Sequence, residues 1–140
     1  MQLLATVDIE DALQRDLSEA ARLSGFSIGV SATPVPDNLG ETIPYAVVTK
    51  VGGSRSDIVV DEHFVSIDVW DKRWALVTDS ASKMVALLLA LPDMPDTSVD
   101  YLKIDLQISP YNNPDIRHVD LPRATFTAAV TTRSAVLAID

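Results

Sequence analysis

The sequence predicts an α+β domain: a mainly antiparallel sheet of about five strands with two helices packed on one face. Three observations lead there. Two segments carry apolar residues at helical spacing, whereas five alternate at strand spacing. The strands cluster, three before the second helix and two after it, so helices are too few to cross over between successive parallel strands. Finally, 140 residues with 47% apolar side chains suffice for one core without a covalent staple. Residues 1–140 are read as a single domain, with no internal repeat or linker.

The first helix begins at Asp8, an N-cap residue, and Glu10 and Asp11 set negative charge on the positive end of its dipole. Ile9, Leu13, Leu17, Ala20 and Ala21 form its apolar stripe, and Gly25 supplies a left-handed stop. A short strand follows, with Phe26, Ile28, Val30 and Ala32 on one face. Residues 34–44 hold three prolines and a glycine and cannot keep a regular ladder.

Residues 45–51 read as a central strand, residues 52–61 as a turn-forming loop opened by Gly52 and Gly53, and residues 63–70 as a third strand. The second helix spans 71–91 with Asp71 as N-cap. Its core stripe is Trp74, Val77, Ala81, Met84, Val85, Leu88 and Leu91. Its last two turns are apolar around most of the circumference, which predicts burial on more than one side.

Pro92 and Pro95 stop that helix. Residues 99–109 alternate Leu102, Ile104, Leu106 and Ile108 with polar positions, as a half-wet antiparallel strand does. Residues 110–122 form another long loop, and residues 123–133 the last strand. The sheet face carrying Asp68, Asp105, Thr125 and Thr127 is expected to be open.

Composition narrows the function. The formal charge is −9, from 20 acidic and 11 basic residues. A duplex-wrapping protein needs a basic face instead. Residues 1–70 hold 11 acids and 4 bases, so most of the negative charge lies in that half. The absence of cysteine removes disulfide frameworks, thiol catalysis and cysteine-rich metal sites, and two histidines cannot make a multi-histidine centre. The start lacks the charged and apolar regions of a signal peptide. The longest apolar run, residues 84–91, is far short of the ~20 residues of a membrane span. A soluble, intracellular protein is the expectation.

Chemical motifs do not survive their context. Gly25-Phe26-Ser27-Ile28-Gly29 matches the nucleophile-elbow pattern, but that chemistry needs a strand-to-helix turn and here a helix precedes a strand. Asp61, Glu62 and His63 are metal-competent, yet alternation sends Glu62 to the opposite face, and they read as solvated charges blunting a strand end. Trp74 reads as core, and Trp70 as an interface anchor or a local packing residue. The two long loops are too apolar for plain disorder, with Ile43, Tyr111, Ile116, Val119 and Leu121. They read as arms that order against neighbours, and the 52–61 segment with Ile58 and Val59 behaves alike.

The layout over residues 7–133 resembles the tail terminator proteins of long-tailed bacteriophages. The resemblance rests on the helix opening Val7-Asp8-Ile9-Glu10 and a central strand leading into Gly52-Gly53. It continues with the strand Val65-Ser66-Ile67-Asp68-Val69-Trp70-Asp71 entering a long helix with Ala75, Ala81 and Ala86. A strand, the loop Pro114-Asp115-Ile116-Arg117-His118 and a last strand ending at Arg133 complete it. Head–tail connector proteins share parts of this layout. The resemblance implies a virion protein, assembled in the host cytoplasm, whose copies form a ring (usually of six) capping the head-proximal end of the tail tube. Its partners would be further copies, the tail tube protein and the head–tail connector. Double-stranded DNA would pass through the channel without sequence-specific binding, and no reaction, metal, cofactor or membrane would be involved. The contacts are expected at Ile43, Tyr45, Arg55, Asp57, Ile58, Val59, Trp70, Leu87, Tyr111, Arg117 and His118. A small-molecule binding domain using the open sheet face is the rival expectation.

Overall fold

A computed structural model of the protein describes residues 2–57 and 59–138. In chain order they form β1 (Gln2–Ala5), α1 (Ile9–Ser24), β2 (Gly29–Ala32), α2 (Leu39–Thr42), β3 (Tyr45–Asp57), β4 (Val60–Trp70), α3 (Trp74–Ala90), a 3-10 turn (Leu91–Asp93), β5 (Tyr101–Asn112), β6 (Arg123–Arg133) and β7 (Ala135–Ala138). The main sheet has the order β2-β3-β4-β6-β5, and only the β2–β3 pair is parallel. The fold is α+β with a mainly antiparallel sheet. β1 and β7 pair antiparallel as a separate two-stranded sheet, outside the expected five strands.

α1 opens where its sequence places it. Asp8 accepts a hydrogen bond from the Asp11 N–H at 3.2 Å, and Gly25 ends the helix at φ 75°. Glu10 does more than face the dipole: its carboxylate accepts from the Lys50 N–H and the Thr33 hydroxyl, tying α1 to the sheet. Ile9, Leu13 and Leu17 of α1 and Val77, Ala81, Met84 and Leu88 of α3 join one core. The same core takes Ala46 and Val48 of β3, Val65, Ile67 and Val69 of β4, and Phe126, Ala128 and Val130 of β6. Both long helices therefore cover one sheet face.

Several boundaries differ from the sequence reading. The 52–61 segment is not a loop, because β3 and β4 continue through it as a long hairpin. Gly52 and Gly53 lie in strand at a register shift, where a Cβ on Gly53 would meet the Glu62 carbonyl oxygen at 2.6 Å. Glycine here serves a close backbone approach, not a turn. The 34–44 segment contains α2, and 110–122 loses its first three residues to β5.

α3 starts at Trp74, not at 71. Its N-cap Arg73 makes no side-chain capping bond, while the Asp71 carboxylate accepts from the Lys72 N–H and the Ser80 hydroxyl. Trp74 is consequently 44% exposed and is not core. The apolar end of α3 is buried on one side only: Leu88 and Leu91 are inside, whereas Ala86, Leu89 and Ala90 are exposed. Residues Trp74–Asp93 are long and apolar enough by composition to span a membrane, with a mean hydropathy of 1.4, but one face of the helix is core.

The second sheet face is not open at one end. Leu39, Val47 and Trp70 form a second buried cluster there, backed by Val35, Ile43, Tyr45 and Leu121. Thr125 on this face is buried and donates to the Asp68 carboxylate.

Candidate functional site

The register brings three chain segments to the end of the sheet where β3 and β6 begin. Tyr45, Trp70 and Arg123 align across β3, β4 and β6, and Asn112 of β5 faces Ala124. Residues 33–44, 71–73 and 113–122 therefore gather at this end.

A clasp centred on Asp115 fixes the last of these segments. Its carboxylate accepts from the Trp70 indole N–H at 3.2 Å and the Arg117 N–H at 3.0 Å, and lies 2.8 Å from His118 Nδ1. Arg123 stacks its guanidinium over the Trp70 ring at 5.7 Å and donates to the carbonyls of Asn113 and Pro114. Burial pushes the Asp115 carboxyl up, but the hydrogen bonds from His118, Arg117 and Trp70 with the Arg123 charge outweigh it and hold it below the ordinary carboxylate range. A loop held this way presents a fixed surface. Ile116 and Val119 stand 88% and 80% exposed on it.

Two hollows flank these residues. An open cleft of about 970 Å³ separates Pro34 to Asp37 from Arg117, His118 and Arg123. A smaller hollow of about 410 Å³ lies between Trp74 and the Ile116 and Val119 side of the loop. Ile116 lines both hollows, and Val119 the smaller one.

The residues expected at contacts fall into three places. Ile43, Tyr45, Trp70, Tyr111, Arg117 and His118 belong to the loop end. Tyr111 and Arg117 are exposed, His118 is half-buried, and Ile43 and Tyr45 are half-buried against the second cluster. Trp70 is fully buried, which corrects its expected place at an interface: it is packing, and its only polar atom is engaged by Asp115. Arg55 and Val59 lie at the other end, on the β3–β4 hairpin. Asp57 pairs with Val60 there, its side chain not among those described, and Ile58 lies outside the described residues. Leu87 is half-buried on α3, beside a hollow shared with Phe26 and Lys83, whose ammonium sits 5.1 Å from the Phe26 ring. Asp115, Arg123 and the exposed Trp74 are not among the contact residues expected from the sequence. The sequence signal for Trp74 is Arg73, a poor N-cap residue directly before it.

The hairpin end holds a buried polar group. Asp61 and His63 are 2% and 0% exposed, which overturns their reading as solvated charges. Asp61 accepts from Arg55 Nε at 3.0 Å and the Ser134 hydroxyl at 2.8 Å, and His63 Nε2 lies 3.0 Å from Thr132 Oγ1. Burial raises the Asp61 carboxyl, but the bonds from Arg55 and Ser134 and the charges of Arg55 and His63 bring it below its ordinary value. Burial lowers the His63 imidazole, Lys50 adds to this, and Asp61 opposes it. The unfolded chain thus takes up a proton at His63 before the folded one does. Stability is expected to fall as pH drops below about 6.5, the ordinary histidine value, and to hold above it. Urea midpoints across that range check this, and a His63→Gln variant with an unchanged slope overturns it. Among the described residues, no three potential metal ligands converge.

No family model matches the sequence, and no curated protein matches it. Among solved structures, the chain is similar to one from the virion of a native gene transfer agent (GTA) particle. The TM-score is 0.46 at 14% identity, covering 91% of this chain and 99% of that one. A likeness of that degree carries no functional argument.

Proposed function

We propose that the protein is a structural subunit of a phage-like virion, whose copies assemble side by side into a ring of about six around the head-proximal end of a tail tube. The ring halts tube growth and offers a docking surface for the head connector. The observation that carries this reading is the pair Ile116 and Val119, almost fully exposed on a loop that Asp115 and Arg123 hold in place. An exposed apolar residue on a fixed support loses little entropy on contact, which is what an assembly anchor requires. The sequence resemblance to tail terminators supplies the particular assembly.

The acidic surplus suits a channel that passes DNA. Of the acids in residues 1–70, Asp16 and Asp61 are buried, while Asp8, Asp11 and Glu19 are exposed along α1. A negative wall repels phosphate and lets a duplex slide. A neutral or basic lumen in the assembled ring overturns that part.

Native mass spectrometry with negative-stain imaging tests the whole reading. The expected result is a ring of about six copies, alone or on tail tubes, and a strict monomer under both conditions overturns it. Replacing Ile116 and Val119 together by aspartate is expected to weaken assembly about tenfold or more, with stability shifted by less than about 0.5 kcal/mol because both positions are solvated. Assembly equal to that of the unaltered protein rules out this surface.

A further inference from the structure

We propose that β5 is a self-pairing edge, joining two copies antiparallel about a two-fold axis at Ile104 into one continuous sheet. β5 closes the main sheet, and no strand among the described residues pairs with its outer side. At twelve residues it is a long edge, with Leu102, Lys103, Asp105, Gln107 and Ile108 exposed. An edge of that length presents a row of unpaired N–H and C=O groups, the template on which another strand adds. The edge at the other side of the sheet, β2, has only four residues.

The sequence of the strand chooses the occupant. Leu102-Lys103-Ile104-Asp105-Leu106 is complementary to its own reverse. With Ile104 facing Ile104 of a second copy, Leu102 faces Leu106 and Lys103 faces Asp105, and the two-fold makes each pair occur twice. Directly opposed residues on antiparallel strands have their Cβ atoms about 5 Å apart, close enough for both the apolar and the charged pairs to form. Lys103 and Asp105 already lie 3.2 Å apart within one chain, both more than half exposed, so they share the outer face and can exchange partners. Ile104 and Leu106 pack on the core from the helix side, which would extend the core across the junction.

The strand also limits the register. β5 pairs without interruption with β6 over Lys103 to Leu106, opposite Thr131 to Ala128, so the Ile104 and Lys103–Asp105 pairs lie in regular strand, while Leu102 sits at the register shift that precedes it. Pro110 has no N–H to give, so pairing stops short of it. A register centred on Leu106 would set Lys103 opposite Ser109 and Asp105 opposite Gln107, leaving every charge without an opposite. The contact is isologous, unlike the head-to-tail contacts that close a ring, so it is separate from the surface around Ile116.

The chain has no cysteine, which makes the test clean. Ile104→Cys is expected to form a covalent dimer under mild oxidation, since the two sulfurs meet at the axis. Leu106→Cys, opposite Leu102, is not. Sedimentation at micromolar concentration should show two-fold association, of single chains or of whole rings, that Lys103→Asp weakens about tenfold or more and that the Lys103→Asp/Asp105→Lys exchange restores. Both positions are exposed, so these variants keep the fold even if Ile104→Cys does not. Cross-linking at 106 instead of 104, or equal association of Lys103→Asp and the unaltered chain, overturns the proposal. A ring without cross-linking at 104 removes β5 pairing and leaves the ring. A cross-linked dimer that never forms a ring does the reverse.

Discussion

Asp16→Ala is expected to destabilise the protein by about 3 kcal/mol, because the hydrogen bonds it makes are charged and one-sided removal strands their donors. Asp16 lies on the buried side of α1, 6% exposed, between Leu13 and Leu17. One carboxylate oxygen accepts from the Ser98 N–H and hydroxyl at 2.9 and 2.8 Å, and the other from the Tyr101 hydroxyl at 2.6 Å. The acid thereby fastens the first helix to the segment that leads into β5. Burial, then the Asp16 bond and charge, push the Tyr101 phenol far above its ordinary value, so it remains a donor throughout the working range. Tyr101→Phe removes one donor with little change of shape and should cost less, about 1 to 1.5 kcal/mol. Urea unfolding of both variants checks this. Equal losses would mean that the Ser98 bonds contribute nothing.

Phe126→Ala is expected to be among the most damaging truncations, costing about 3–5 kcal/mol of the 5–15 kcal/mol that typical domains possess. Phe126 is 0% exposed in β6 and opposite Ile67 of β4, in the layer that α1 and α3 cover. Thermal and urea unfolding measure the loss. Ile116→Ala provides the contrast, since its side chain is in water and its removal should shift stability by less than about 0.5 kcal/mol. A Phe126→Ala loss below about 1.5 kcal/mol would mean the core repacks there.

Local chemistry decided which elements the sequence disclosed. α1 was legible at both ends because its cap and stop act within a few residues, through Asp8 and Gly25. β6 was legible over 123–133, since one face alternates without interruption. The β3–β4 hairpin was not, because two adjacent glycines signal a turn unless one knows that Glu62 passes close to Gly53. β1 and β7 are four residues each, too short for any period to emerge. Trp70 and Trp74 exchanged roles because Asp71 bonds Ser80 from outside the helix instead of capping it, which moves the helix start by three residues.

At the candidate surface, the apolar content of residues 113–122 was visible from composition. Its support was not, because Trp70, Asp115 and Arg123 belong to segments that meet only once the register of β4 and β6 is set. The same holds for Asp61 and His63, whose partners Ser134 and Thr132 lie some seventy residues away.

The strand order also says how the chain must come together in time. β3–β4 and β5–β6 are each neighbours in sequence and can zip locally, whereas β4 and β6 meet only after α3 and β5 have been looped out. Within the main sheet, that seam closes the longest loop, and it buries Val65 against Ala128 and Ile67 against Phe126. Substitutions at the seam are expected to slow folding, and changes at the outer strand β5 chiefly to hasten unfolding, which stopped-flow folding and unfolding rates of seam and β5 variants check.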